Sequence, residues 1–326
     1  MTRVNGITID EVVYQEERRV QGFIHVAAKP DNTWVKFPIV VLVGKRDGPT
    51  LLVDACTHGD EYEGCEAILQ VVNSLDLESL AGTLVAIPAL NLEAFCAGTR
   101  ASPADGKNLN RVFPGNPNLF ITDRIAHSYM ERVVRHASYM ISFHGGGTTL
   151  HLEPLVGYFP SPDHVGKTSR EMALAFGVKV IWRMSSLPFD GVSTIEAAKL
   201  GIPGVLPEIG SHCTRFHERW KNVSLCVNGI MNTMRFLGMV EGDLNQRTDH
   251  IEQEMHYIHT SSGGIHVPVK QVLEPAATGD VLAEVKDVFG RPVGQVRAPF
   301  DGIVVGYWSL PVIKPGDWSY LFGKLV

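Results

Sequence analysis

Four times along this chain a short apolar run ends at a polar residue. Thr50–Cys56 (TLLVDAC) leads to His58, Thr83–Leu90 (TLVAIPAL) to Asn91, Ser138–Phe143 (SYMISF) to His144, and Ile202–Pro207 (IPGVLP) to Glu208. Short apolar runs bounded by turn or helix signals read as strands buried on both faces. Amphipathic stretches separate them: Gly64–Leu75 carries Ile68, Leu69, Val72 and Leu75 at helical spacing. Strands alternating with helices predict an α/β fold, a sheet flanked by helices. In open sheets of this kind ligands bind beyond the carboxyl ends of the strands, so the four polar residues are expected to meet in one cleft.

The pattern changes toward the C-terminus. Asn222–Leu237 reads as a helix closing the first domain, and Glu241–Glu254 is polar and aperiodic, as a linker is. Beyond it come the strand-like runs Ile265–Val272, Val281–Val285, Val293–Val296, Gly302–Trp308 and Tyr320–Val326. Turn signals such as Thr278-Gly279-Asp280 and Lys314-Pro315-Gly316-Asp317 punctuate them, which suits a small β-barrel or sandwich. A chain of 326 residues exceeds the roughly 250–300 residues at which single cores stop growing. The reading is a catalytic domain over 1–240, a linker over 241–258 and a C-terminal β-domain over 259–326.

Composition serves mainly to exclude. Lys and Arg number 29 against 35 Asp and Glu, a formal charge of −6, and no basic stripe offers the footprint nucleic acid requires. No stretch approaches the ~20 apolar residues of a membrane span, and Met1–Asp10 lacks a signal-peptide core. The expectation is a cytoplasmic protein without a membrane or nucleic acid partner. The five cysteines are scattered and form no Cys-x-x-Cys pair, so they read as free thiols. Whether the chain forms a homo-oligomer is left open by the sequence.

His58-x-x-Glu61 places two zinc-capable side chains on a loop entering a helix. A catalytic zinc takes three protein ligands and keeps one position for water, and His144 at another strand end fits the third place. Gly59 and Gly145-Gly146-Gly147 remove side-chain bulk where backbone, metal or substrate must come close. Each piece alone has a plainer reading, a surface pair or a strand-end histidine bonded to a carbonyl; their joint placement favours the metal. Glu208 is then the carboxylate that metal-assisted hydrolysis needs, taking a proton from water and handing it to the leaving nitrogen. Arg100 and Arg111 flank a loop containing Asn108–Gly115. One guanidinium can fork onto a substrate carboxylate and a second can stabilise an oxyanion, against the commoner fate of surface pairing.

Taken in order, five segments resemble the succinylglutamate desuccinylase/aspartoacylase family. They are His58-Gly59-Asp60-Glu61, Asn91-x-x-Ala94-Phe95 leading to Arg100, Leu109-Asn110-Arg111-x-Phe113-Pro114-Gly115, Phe143-His144-Gly145-Gly146, and Gly201-Ile202-Pro203 through Glu208-Ile209-Gly210. The resemblance covers nearly the whole chain. It implies a zinc-carboxypeptidase-like mixed sheet flanked by helices, with a small all-β, lipoyl-like domain at the C-terminus. It implies one Zn2+ per chain on His58, Glu61 and His144, with Glu208 as general base and acid and Arg100 polarising the acyl carbonyl. Asn110 and Arg111 would hold the carboxylate of an N-acyl amino acid substrate, whose small acyl group is removed by metal-activated water. No Met-Lys-Met occurs in the C-terminal part, so no lipoyl or biotinyl attachment is expected. A carboxypeptidase acting on small peptides and a non-catalytic carboxylate-binding protein are the competing readings.

Two positions depart from the family pattern. Asn108 stands where the family has the aspartate of Asp-Leu-Asn-Arg, which orients a zinc-binding histidine, and Ser142 stands where many members carry aspartate two residues before the third ligand. Asp105 and Asp54 are the candidates to replace the missing charge. His212 and Cys213 read as cleft support, and Arg183 with Phe189-Asp190-Gly191 as shaping acyl or side-chain specificity.

Overall fold

The computed structural model describes residues 1–325 apart from Ser186 and Asn245, and the side chains of His212, Cys213, Thr214 and Leu325 are outside that description. The roles read for His212 and Cys213, and the last residue of the predicted Tyr320–Val326 strand, therefore fall outside the described residues. Among those described, one 14-stranded mixed sheet runs through the molecule. From one edge its strands are Pro275–Ala276, Gly302–Trp308, Trp318–Leu325, Ile251–His259, Val180–Arg183, Leu155–Tyr158 and Gly204–Glu208. Tyr139–Ser142, Arg46–Asp54, Ala81–Ile87, Trp34–Val43, Arg19–Ala28 and Glu11–Glu16 follow, and Leu150–Leu152 pairs with Gly302–Trp308 to the side.

Four adjacent strands at its centre, Gly204–Glu208, Tyr139–Ser142, Arg46–Asp54 and Ala81–Ile87, are mutually parallel. Asp54 lies opposite both Ser142 and Ile87, so the carboxyl ends are level. This is why the loops carrying His58, Asn91, His144 and Glu208 leave the sheet on one side, as expected from the four apolar runs. Every residue of Ala81–Ile87 is buried, which a strand covered on both faces requires. On one face the helices Glu63–Ser74, His164–Phe176 and His212–Phe236 bury Val71, Met172, Phe176, Val223 and Ile230. On the other, Ile121–Arg132 and Ser193–Lys199 bury Ile125, Tyr129 and Ala197. No helix among the described residues is long and apolar enough to cross a membrane.

The α/β architecture and the C-terminal all-β sheet agree with the sequence reading. The separate four-stranded sheet comprises Pro292–Arg297, Val281–Lys286, Gly264–Pro268 and Val312–Ile313. Two elements differ. The segment expected to be aperiodic becomes a strand from Ile251, inserted between Val180–Arg183 and Trp318–Leu325. Its alternation is masked because Glu252 and Glu254 are charged yet paired: Arg170 and the Tyr158 hydroxyl donate to Glu252, and Arg183 donates to Glu254. Gln253 and Met255 fill the buried face between them. The closing helix begins at His212, ahead of the expected Asn222. Its first turns break the apolar period because Phe216 and Trp220 are 91% and 65% exposed, while Arg215 and Arg219 reach across to Glu66.

Candidate active site

His58, Glu61 and His144 come together with exposures of only 2%, 5% and 3%. The loop holding the first two lies against the backbone of Ala94, where a Cβ on Gly59 would fall 2.0 Å from the Ala94 carbonyl carbon. His144 follows its strand directly and bridges to Glu208 in the parallel sense. Gly145 and Gly146 are needed for a related reason: a Cβ there would sit 2.6 Å from the Ile209 carbonyl oxygen and 2.4 Å from that of Leu150. The glycines expected to make room for metal or substrate thus make room chiefly for neighbouring backbone.

The three side chains turn their ligand atoms inward. His58 Nδ1 is 2.8 Å from Glu61 Oε1, His144 Nδ1 is 3.0 Å from Glu61 Oε2, and the two Nδ1 atoms are 3.2 Å apart. Two imidazole nitrogens face to face beside a carboxylate suit a shared cation. Tetrahedral zinc with bonds near 2.0–2.1 Å would separate its nitrogens by about 3.3 Å. His58 is prepared for that use: Asn108 Oδ1, already fixed by the Asn110 backbone N–H at 2.8 Å, lies 2.9 Å from His58 Nε2. Nε2 therefore carries the proton and Nδ1 the lone pair. Among the described residues this is the one group of three or more such side chains with the reach to hold a metal ion.

The electrostatics follow from burial. Desolvation, with the Arg100 charge, pushes His58 down to about 4. Burial alone would raise Glu61, yet the two imidazoles hold it well below the usual carboxylate range. Burial opposes a charge on His144 too, but Glu61, Glu208 and Asp54 raise its proton affinity. Desolvation pushes Glu208 up to about 8, against the pull of His144 and both arginines.

The remaining residues singled out in the sequence take these places. Arg100 Nη1 donates to Glu61 Oε1 at 2.8 Å and lines the pocket. Asn110 Oδ1 accepts from the Ser193 backbone N–H, which turns its Nδ2 to His144 Nε2 at 3.3 Å. Arg111 lies 3.4 Å above the Phe189 ring and donates to the Asn110 carbonyl. Burial and Arg100 lower it to about 10. Phe189 lines the pocket, whereas Arg183 is tied to Glu254 and stays out of it. Of the two substitute carboxylates, Asp105 is spent on the Thr122 N–H and hydroxyl. Asp54 accepts from Ser142 Oγ at 2.9 Å and Tyr129 Oη at 2.7 Å, and its charge reaches His144. The carboxylate missing at 142 is thus found one strand over. Trp182, Tyr257, Trp318 and Leu321 also line the pocket. No sequence motif marked them, beyond the aromatic content of the strands that carry Tyr257 and Trp318.

The profile of the succinylglutamate desuccinylase/aspartoacylase catalytic domain matches residues 47–256. The chain is 30% identical to the N-alpha-acetyl-L-2,4-diaminobutyric acid deacetylase of Halomonas elongata, over 94% of this chain and 91% of that one. A product-bound structure of the ectoine utilization protein EutE (DoeB) from Ruegeria pomeroyi superposes with a TM-score of 0.87 at 26% identity, covering 98% and 99% of the two chains. A succinylglutamate desuccinylase from Silicibacter sp. TM1040 shares the fold at 24% identity, with a TM-score of 0.87 over 100% of both chains.

Proposed function

The chain belongs to the succinylglutamate desuccinylase/aspartoacylase family, and on that premise we propose that it is a zinc-dependent amidohydrolase removing a small acyl group from an N-acyl amino acid. The observation that carries the proposal is the inward-facing set of His58, Glu61 and His144 in one pocket with Glu208, Arg100 and Arg111. Zinc held by those three side chains would activate water and polarise the acyl oxygen.

Glu208 takes a proton from the attacking water and returns it to the departing amine nitrogen. A carboxyl whose burial lifts it toward the neutral range is suited to both directions. Arg111 pairs with no carboxylate among the described residues, and its guanidinium is braced by Phe189, leaving it to receive the substrate carboxylate. Asn110 lines the same pocket and presents its Nδ2, 3.3 Å from His144 Nε2, as a second donor for that carboxylate. Arg100, anchored on Glu61, faces the acyl oxygen. Tyr257, Trp318 and Leu321 also wall the pocket, which favours a compact N-acyl amino acid over a peptide.

Glu208→Gln should lower kcat by about 10^3-fold while the protein still binds one zinc by elemental analysis. Wild-type turnover in that variant would remove Glu208 from its role. Incubation with N-acetyl and N-succinyl amino acids, N-α-acetyl-2,4-diaminobutyrate and dipeptides tests the reaction class, and exclusive cleavage of dipeptides would replace the deacylase reading with a peptidase.

A further inference from the structure

We propose, resting on the deacylase reading above, that the substrate bears a single carboxylate and one apolar group, for which the chamber beside Arg111 is the specificity pocket. Two facts about the lining carry this. The first is charge. Apart from the Tyr257 phenol, the acid and base side chains lining the pocket are Arg100, Arg111, Glu208 and His58. Arg100 is engaged by Glu61, His58 belongs to the metal set, and Glu208 is required for proton transfer. One cation, Arg111, is left to meet an ionic group of the substrate. A second carboxylate on the acyl or amino acid side would find no counter-ion, and a side-chain ammonium would find no carboxylate. Burying either without a partner is costly.

The second fact is the wall. Trp182, Met184, Phe189, Met255, Tyr257 and Trp318 line the space next to Arg111. Tyr257 and Trp318 are 4.2 Å apart at their centroids, Phe189 stacks on Trp318 at 6.3 Å and 17°, and Trp182 meets Tyr257 edge-on at 6.4 Å. Rings locked against each other form a fixed apolar surface. A cage of aromatic faces could in principle hold an ammonium. Here one face of Phe189 is already covered by Arg111 at 3.4 Å, and that charge repels a second cation. Because the same ring backs the guanidinium, the apolar group sits next to the carboxylate-binding end.

The test compares kcat/KM of the zinc-loaded protein for N-acetyl-L-phenylalanine, N-acetyl-L-leucine, N-octanoylglycine, N-acetyl-L-aspartate, N-succinyl-L-glutamate and N-α-acetyl-L-2,4-diaminobutyrate. Calorimetric affinities of the same acids for Glu208→Gln protein are measured alongside. An apolar acid should exceed each doubly charged one by about tenfold to a hundredfold, the value of burying one large side chain. The two N-acetyl acids should also exceed N-octanoylglycine, since a small acyl group puts the apolar group on the amino acid; better use of N-octanoylglycine overturns that placement. Equal or better use of a doubly charged acid overturns the inference while leaving the deacylase reading intact. Binding that prefers apolar acids without hydrolysis of any amide supports the chamber and removes the deacylase. Absence of both turnover and apolar preference in binding overturns the two together.

Discussion

Replacement of Asp54 by asparagine separates what this buried carboxylate does for the fold from what it does for the proposed metal site. Asp54 is fully buried, and desolvation raises it to about 6 from 3.8 despite hydrogen bonds from Tyr129 and Ser142. Below about pH 4 the group is protonated folded and unfolded, and it costs nothing. Between pH 4 and 6 the unfolded chain gives up its proton while the folded one retains it. Above pH 6 the folded protein carries the full penalty, about two pKa units or roughly 3 kcal/mol. Stability therefore falls with rising pH across that window. Asparagine keeps both contacts, accepting from Tyr129 through Oδ1 and donating to Ser142 through Nδ2, without the charge. In chelator-treated protein, urea unfolding should show Asp54→Asn roughly 1–3 kcal/mol more stable than wild type at pH 8 and close to it at pH 4.5. The metal site should move the other way. The Asp54 charge raises the proton affinity of His144 and supports a cation there for the same reason, so zinc affinity should fall about tenfold. A variant that loses stability at pH 8, or that keeps the wild-type pH slope, refutes the reasoning.

Asn108→Asp should tighten zinc by about tenfold in competition with a chromophoric chelator, because a carboxylate replaces the amide oxygen 2.9 Å from His58 Nε2; unchanged affinity would mean that Nε2 contact does not tune the ligand. In metal-free protein Glu208 stands at about 8, so it retains a proton near pH 7 that a bound cation expels. Zinc affinity should accordingly climb from pH 6 to pH 8, and binding heats should differ between buffers of different ionisation enthalpy, whereas identical heats would rule out proton release. Gly64→Ala places a Cβ 2.3 Å from Phe143 Cβ and should destabilise the protein by about 1–3 kcal/mol, with an unshifted Tm showing that the helix Glu63–Ser74 can move aside.

The parts of the site that were legible in the sequence are those built locally. His58, His144 and Glu208 each follow a run of apolar residues, and parallel pairing with level ends, set by Asp54 opposite Ser142, is enough to bring them together. The strand Ile251–His259 was hidden because its charges are satisfied by Arg170 and Arg183, whose positions only the fold reveals. The substitute carboxylate was hidden for a similar reason: Asp54 and Ser142 are 88 residues apart and become one unit only as cross-strand neighbours. The aromatic wall depends on the sheet continuing through Ile251–His259 to Trp318–Leu325, which brings Tyr257 and Trp318 into one pocket with residues from far earlier in the chain. On the proposed function, chemistry and selectivity are carried on different segments. Most of the motifs that identify the family follow the parallel strands, whereas much of the wall that would choose among substrates lies on the C-terminal strands and the segment around Phe189. Relatives sharing every catalytic motif can differ in those walls without disturbing the metal site, so the substrate named for a relative at 30% identity constrains the reaction of this chain more tightly than it constrains the side chain that reacts.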